Sequence, residues 1–132
     1  MQLVVDTSAI VAVITNEAHK DQIIHLSKGA DLLAPFSLHW EVGNAFSAML
    51  KRHRLALEEA QRALRAYSEI PIRFSDIELD VALELAARLN IYAYDAYIIA
   101  CAIKHRCPLL TLDASMVNAA AEVGVTVKEV EA

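Results

Sequence analysis

The sequence predicts an α/β domain in which helices cover both faces of a parallel sheet. The chain has 132 residues, enough for one hydrophobic core and too few for a second core of useful size. Hydrophobic residues make up 56% of it, and glycine and proline occur three times each, which favours a helix-rich globular domain over a disordered chain. Short apolar runs alternate with longer helical segments, and strands joined by helices pair in parallel through right-handed crossovers. We therefore expect residues 1–132 to form one domain.

The predicted strands are short apolar runs that end at polar or turn-forming residues. Leu3-Val4-Val5 contains no polar residue, which predicts a strand buried on both faces. Pro35 closes the second run, and Pro71 precedes the third. The strands are predicted at 3–5, 31–34, 72–74, 108–111 and 125–127, with the last at an edge of the sheet.

Helices are predicted where apolar residues recur at helical spacing behind a capping residue. Thr7 or Ser8 is the expected cap of the first helix, Asp76 of the fifth and Asp113 of the last. Gly29 is the expected stop of the second helix. The helices are predicted at 9–14, 17–27, 37–54, 58–68, 77–89, 94–105 and 114–123.

Charge and cysteine content narrow the class of protein. The net charge of −5 argues against a plain nucleic-acid-binding module, because such modules carry a basic surplus that neutralises phosphates. Any nucleic-acid contact must come from a local patch or through bound cations. Cys101 and Cys107 have the spacing of neither a redox pair nor a metal-ligand pair, so we expect buried thiols in a reducing compartment. No signal peptide is apparent and no apolar run approaches the ~18 residues of a membrane span, which predicts a cytoplasmic protein.

Four acids occupy positions where a ligand site of such a sheet would form. Ligands bind outside the carboxyl ends of parallel strands. Asp6 directly follows the first predicted strand, and Asp113 follows the fourth. Asp95 opens the helix that leads into the fourth strand. Glu41 lies beside the apolar stripe of the long helix, about 60° from its centre, with Asn44 one turn later.

Each acid also has an ordinary structural explanation. Asp6, Asp95 and Asp113 are all placed to cap helices, and Glu41 to be a solvated helical side chain. If Ser8 capped the first helix instead, Asp6 would be free to face the cleft.

The joint placement of these acids favours a shared site. Four converging carboxylates repel one another, and burial strengthens the effect, so a divalent cation is needed to neutralise them. No cysteine or histidine joins them at a useful spacing, which favours Mg²⁺ or Mn²⁺ over zinc. A hard cation with open water positions activates water and neutralises a phosphate oxygen. This combination indicates phosphodiester hydrolysis.

Four segments of the chain, in this order and at this spacing, resemble the motif blocks of PIN-domain nucleases. The resemblance covers essentially the whole chain, and the second block has the form typical of VapC-like toxins. No single block is specific, whereas the four together are. The segments are Val4-Val5-Asp6-Thr7-Ser8, Trp40-Glu41-Val42-Gly43-Asn44-Ala45, Tyr94-Asp95-Ala96 and Leu110-Thr111-Leu112-Asp113.

The resemblance implies roles for particular residues. Asp6, Glu41, Asp95 and Asp113 would form the catalytic, metal-binding quartet. Ser8 and Thr111 would be supporting polar groups and Asn44 an accessory residue.

The resemblance also implies a fold, an activity and partners. The fold would be a three-layer α/β/α PIN-like domain with a five-stranded, essentially parallel sheet. The activity would be Mg²⁺- or Mn²⁺-dependent endoribonuclease cleavage of RNA. The protein would be the toxin of a toxin–antitoxin pair, would form a homodimer, and would be inhibited by a cognate VapB-like antitoxin.

Three features leave alternatives open. The basic run Lys51-Arg52-His53-Arg54 either compensates the carboxyl terminus of its helix or contacts RNA, and Lys104-His105-Arg106 presents the same choice. Trp40 is either covered by another element or exposed for a partner. The five histidines form no metal-binding pattern.

Two other function classes compete with the nuclease. The first is a non-catalytic PIN-like module that binds metal or RNA, which an intact acidic quartet disfavours. The second is a phosphoacceptor signalling domain. That class would need an acid beside Asp6, and Thr7 stands there.

Overall fold

Five strands form one sheet in the computed structural model, which describes residues 1–130 and so leaves the last two residues of the predicted domain outside it. All the pairings are parallel, in the order β3-β2-β1-β4-β5 once the strands are numbered along the chain. The strands are β1 (Gln2–Val5), β2 (Asp31–Pro35), β3 (Ile72–Ser75), β4 (Leu109–Thr111) and β5 (Val127–Glu129).

Helices pack on both faces of this sheet. Helices α1 to α4 contribute to the core on one face, and α5 to α7 to the core on the other. The three-layer arrangement and the parallel sheet predicted from the sequence are therefore confirmed. The helices are α1 (Thr7–Ile14), α2 (Lys20–Ser27), α3 (Ser37–Lys51), α4 (Leu57–Ser68), α5 (Leu79–Leu89), α6 (Ala93–His105) and α7 (Ala114–Glu122).

The central strands are apolar because both of their faces are covered. Leu3 and Val5 of β1 pack against the α1–α4 layer, while Val4 between them packs against the α5–α7 layer. Leu109 and Leu110 of β4 divide between the two cores in the same way. Alternate side chains of a strand point to opposite faces, so each residue of β1 is committed to one core.

Several predicted boundaries are wrong by a few residues, and each error has a local cause. The second helix begins at Lys20, after a turn in which Asn16 has a left-handed φ of 57°. The long helix ends at Lys51, where the N–H groups of His53 and Arg54 bond back to the last helical turn. The last strand begins at Val127, because Val125 N–H donates to the Ala120 carbonyl and still belongs to the exit of α7.

Among the later helices, one predicted cap differs from the structure and another agrees with it. The cap of α5 is Glu78 and not Asp76. Asp113 caps the last helix as predicted.

Cys101 is buried as expected, whereas Cys107 is only half-buried. No helix within residues 1–130 is long and apolar enough to cross a membrane.

Candidate active site

Asp6 and Asp113 lie at the same edge of the sheet because β1 and β4 are neighbours and run parallel. The backbone N–H of Asp6 donates to the carbonyl of Leu110, 3.3 Å away, which continues the pairing of β1 and β4 to the carboxyl end of both strands. Asp113 follows β4 by two residues. Residues 107 positions apart in the chain thus come to one place through the order of the strands.

Asp6 is the helix cap of α1, so the expectation that Thr7 or Ser8 caps this helix is wrong. Its Oδ1 accepts from the backbone N–H of Ala9 at 3.1 Å, the bond that defines the cap. The same oxygen accepts from Ser8 Oγ at 2.7 Å, and Oδ2 accepts from Thr111 Oγ1. Only 4% of Asp6 is exposed. A buried carboxylate with three donors is held in one orientation.

Ser8 and Thr111 link the carboxyl ends of β1 and β4 through hydrogen bonds. Ser8 Oγ accepts from the N–H of Leu112 at 3.0 Å, and Thr111 Oγ1 accepts from the N–H of Asp113 at 3.0 Å. Each hydroxyl therefore donates to Asp6 and accepts from the backbone that follows β4. The two residues predicted to support the site lie directly beside its most buried acid.

The hypothesis that these acids cap helices is correct for Asp113 and wrong for Asp95. Asp113 Oδ1 accepts from the N–H and the Oγ of Ser115, at 2.9 and 2.8 Å, so Asp113 is a cap as well as a residue of the strand end. Asp95 is the third residue of α6, and the cap of that helix is Tyr92. The cap explanation for Asp95 therefore fails.

Glu41 reaches the same region from α3, a helix of the α1–α4 layer. It lies one turn inside α3, where Ser37 Oγ donates to Glu41 Oε2 over a long 3.4 Å. Its side chain is half-buried. Within the part of the chain that the structure describes, this long bond is the one side-chain hydrogen bond of ordinary geometry to Glu41, so its orientation is set less firmly than that of Asp6.

All four acids line one cleft of about 350 Å³. Apolar side chains from four helices form the rest of its wall, together with the two hydroxyl residues at the start of α1. The lining residues besides the acids are Thr7, Ser8, Val11, Ala45, Ile98 and Met116. The structure thus brings together the four acids that the sequence singled out.

The carboxylates in the cleft disfavour each other's charge. Burial raises the pKa of Asp6 above its ordinary value, and the nearby Asp113 adds to this, although three hydrogen bonds act in the opposite direction. Burial, followed by the charges of Asp95 and Asp6, raises the pKa of Glu41 to about 7. Burial and Asp113 raise the pKa of Asp95. A cation in this cleft would relieve the repulsion.

The donor set fits a hard divalent cation in its chemistry, while the side chains do not yet converge on one point. Carboxylate oxygens are the ligands that Mg²⁺ and Mn²⁺ prefer. Within residues 1–130, no three acid, histidine or cysteine side chains are arranged to hold a metal ion as they stand. Oxygens of Asp6 and Asp113 are engaged by donors of the protein, so coordination would require these side chains to adjust.

Thr7 belongs to the cleft in a way that the sequence analysis missed. Its Oγ1 is buried and, within the described residues, has no hydrogen-bond partner of ordinary geometry. It lies close enough to Glu41 to lower the pKa of that carboxyl slightly. The available signal was the spacing of Thr7 and Val11, which places both on one face of α1.

The other residues singled out from the sequence lie outside the cleft. Asn44 is exposed on α3 and does not line it. Trp40 is 72% exposed, and its ring meets that of His39 edge-on at 5.0 Å, which settles the choice between a covered and an exposed tryptophan. The run from Lys51 to Arg54 is exposed throughout.

Comparison with known proteins assigns the chain to a family. The family model of the PIN domain matches residues 3–122. The chain belongs to the PIN-domain family. Ribonuclease VapC9 of Mycobacterium tuberculosis and a VapC ribonuclease of Mycobacterium bovis are each 29% identical over 112 residues, which are 84% of this chain and 85% of the relative.

Solved structures share the PIN fold. PAE2754 from Pyrobaculum aerophilum superposes with a TM-score of 0.75 at 24% identity, covering 98% of this chain and 84% of that one. The structure of VapBC2 from Rickettsia felis, bound to a DNA fragment from their promoter, gives 0.71 at 16% identity, covering 99% and 100%. At these identities the likeness shows the fold alone.

Proposed function

We propose that this PIN-domain protein is a metal-dependent endoribonuclease and acts as the toxin of a toxin–antitoxin pair. The observation that carries the proposal is the single cleft lined by Asp6, Glu41, Asp95 and Asp113, in which burial and neighbouring carboxylates raise the pKa of the first three. The names of the mycobacterial relatives, which are ribonucleases, support RNA as the substrate. With RNA as the substrate, the proposed place of action is the cytoplasm.

In this proposal the four acids hold Mg²⁺ or Mn²⁺. A divalent ion bound there would lower the pKa of a water and neutralise charge on the phosphate. Ser8 and Thr111 hold Asp6 in the cleft before RNA arrives, and adjustment of its carboxylate would free an oxygen for the ion. Glu41 is held weakly by Ser37 and is the acid best able to adjust to the ion.

The proposed partners follow from the same cleft. A small cognate antitoxin would inhibit by inserting a basic or arginine-bearing segment among the carboxylates, which lack a positive neighbour in the cleft lining. The solved VapBC2 assembly supports a partner of this kind. We further propose a two-fold homodimer, because a small chain with this much apolar surface gains by self-association.

The experiment that tests the activity is incubation of the purified protein with total RNA and Mg²⁺ or Mn²⁺, with and without EDTA. Cleavage should require the ion and stop on chelation. Glu41→Gln should be inactive, whereas Glu84→Gln, which removes an exposed glutamate of α5, should cleave like the wild type. Cleavage that persists under thorough chelation would exclude the carboxylate–metal mechanism.

A second candidate is a non-catalytic PIN-like module that binds metal or RNA. Two observations favour it: Asp6 and Asp113 already serve as helix caps, and among residues 1–130 no three acids are arranged to hold a metal ion. The two candidates share metal binding and differ in turnover. A rise in melting temperature with Mn²⁺, without cleavage of any RNA, would support the module.

A further inference from the structure

One end of the α1–α4 layer concentrates positive charge in a chain whose net charge is −5. The loop after α3, the first residue of α2 and the middle of α4 meet there, since Leu55, Lys20 and Arg62 line one pocket of about 370 Å³. The exposed run after α3 adjoins this pocket through Leu55. We call this region the basic end and define it as Lys20, Lys51, Arg52, Arg54 and Arg62.

The backbone holds the tip of the basic end in a fixed turn. Arg54 N–H donates to the Met49 carbonyl at 2.9 Å, and His53 N–H donates to the Leu50 carbonyl at 3.1 Å. These two bonds form a Schellman motif around His53, whose φ is 56°. Lys51, Arg52 and Arg54 therefore project from an ordered turn and not from a frayed helix end.

Compensation of a helix terminus does not account for this concentration of charge. Cations stabilise the carboxyl end of a helix, which explains Lys51 in the last turn of α3. Lys20 is the first residue of α2, where the helix dipole disfavours a cation, and Arg62 lies in the middle of α4. Four acids lie within a few residues of the five cations, namely Glu17, Asp21, Glu58 and Glu59. Glu59 lines the same pocket as Lys20 and Arg62, and its carboxylate accepts from the N–H of Ala56.

The basic end and the carboxylate cleft lie at opposite ends of the same helices. Helix α3 carries Glu41 near its start and Lys51 at its end, about 15 Å apart at ~1.5 Å per residue. Helix α1 carries Thr7 at its start and leads to the pocket beside Lys20. A separation of about 15 Å corresponds to about four stacked nucleotides at ~3.4 Å each.

We propose that the basic end binds the phosphate backbone of the RNA substrate, about four nucleotides from the bond that is cut. This inference rests on the proposed function, since it assigns the RNA contact of the same enzyme. It also resolves the difficulty that the net charge raises. A chain of charge −5 with an acidic cleft repels RNA unless a local patch or bound cations attract it, and the basic end supplies such a patch.

The test is the salt dependence of RNA binding, measured by fluorescence anisotropy in EDTA so that the labelled single-stranded RNA stays intact. The variant combines Lys51→Gln, Arg52→Gln and Arg54→Gln. Because each phosphate contact contributes about 0.7 to the slope of log affinity against log salt, losing three contacts should lower the slope by about 2. At low salt the affinity should fall at least roughly tenfold.

The matched control removes three exposed cations elsewhere, by Lys28→Gln, Arg73→Gln and Arg88→Gln. It changes the net charge equally and should leave the slope close to that of the wild type. Lys20→Gln with Arg62→Gln is a second variant that leaves the turn intact, and it should lower the slope by about 1.4.

Each alternative outcome overturns the inference. Equal slopes for the first variant and the control, or no RNA binding by the wild type, would show that the basic end is not an RNA surface. Unchanged RNA binding combined with lost binding of polyglutamate would assign it to an acidic protein partner. Cleavage with Mn²⁺ is scored separately, so a wild type that cuts RNA while the slopes stay equal refutes this inference alone.

Discussion

Asp6 and Glu41 line the same cleft, yet the protein holds them in opposite ways. Asp6 is buried at a strand end and receives three hydrogen bonds from Ser8, Ala9 and Thr111. Glu41 projects from a helix and receives one long bond from Ser37. In Asp6 the hydrogen bonds offset part of the effect of burial on the pKa, whereas in Glu41 burial and repulsion dominate. One carboxylate therefore supports the fold as well as the site, while the charge of the other is unfavourable until a proton or a cation neutralises it.

Exchange of Asp6 and of Glu41 for the corresponding amide should show the largest difference between the two acids. Asp6→Asn and Glu41→Gln should both lower RNA cleavage at least roughly 100-fold, because a lost metal ligand removes several kcal/mol of transition-state stabilisation. Asp6→Asn should also lower the free energy of unfolding by about 1–3 kcal/mol, since its NH₂ group faces a donor. Glu41→Gln should be at least as stable as the wild type without metal.

Single-turnover cleavage and urea unfolding measure these two effects. Asp95→Asn and Asp113→Asn should behave like Glu41→Gln, because an asparagine at 113 still accepts from Ser115. Full activity in Asp95→Asn would remove that residue from the site. An Asp6→Asn protein as stable as the wild type would contradict the anchoring role of Asp6.

The hydrogen bonds that hold Asp6 can also be removed by changing one of the donors. Thr111→Val keeps the shape of the side chain and removes the hydroxyl that donates to Asp6 and accepts from Asp113 N–H. We expect a loss of about 1.5–3 kcal/mol in chemical denaturation, the usual value for a bond to a charged group. The matched control is Ser37→Ala, which removes the long bond to Glu41 and should cost less than about 0.5 kcal/mol. Equal losses of stability in Thr111→Val and Ser37→Ala would show that Asp6 and Glu41 are held equally firmly.

The stability of the metal-free protein should fall as the pH rises. The pKa of Glu41 is raised from 4.5 to about 7 in the folded state, so the folded protein binds more protons than the unfolded chain between these values. The resulting stability is present at acid pH and is lost as the pH rises through about 7. Allowing for solvent screening of a half-buried group, we expect a change on the order of 1–2 kcal/mol.

Urea unfolding in EDTA across this pH range provides the measurement. The raised pKa values of Asp6 and Asp95 act in the same direction. Glu41→Gln should flatten the pH dependence, whereas Glu84→Gln should leave it unchanged. A wild type that becomes more stable with rising pH would show that the cleft acids do not repel one another in this way.

The smallest expected effect concerns Thr7, the residue beside both acids. Thr7→Val removes a buried hydroxyl that has no hydrogen-bond partner among residues 1–130, so the free energy of unfolding should stay the same or rise by up to about 1 kcal/mol. Its matched control in the same region is Thr15→Val, which removes the bond from Thr15 Oγ1 to the Val11 carbonyl and should destabilise by about 1 kcal/mol. Thermal unfolding distinguishes the two. A destabilised Thr7→Val would mean that its hydroxyl has a partner in solution.

Much of the fold follows from local patterns in the sequence. Leu3-Val4-Val5 predicts a doubly buried strand because only a covered sheet accommodates three successive apolar side chains. Asp113 was recognisable as a cap because a cap depends on the residues that follow within one turn. The ends of helices were less predictable. Helix α3 ends in a turn that places His53, a non-glycine residue, at positive φ, and the composition of the sequence does not predict such a turn.

The positions of the four acids were predicted, while their environments were not. The sequence placed Asp6 and Asp113 after strands, and the tertiary structure made them neighbours by setting β4 beside β1. The sequence offered Ser8 as the cap of α1, but Thr111 donates to Asp6 from 105 residues away and completes the set of donors that fixes Asp6 as the cap. Periodicity and capping act over a few residues and can be read along the chain. The order of the strands depends on the packing of distant segments, which only the folded protein determines. That packing also decides which hydroxyls, carboxylates and cationic side chains meet at each end of the α1–α4 layer.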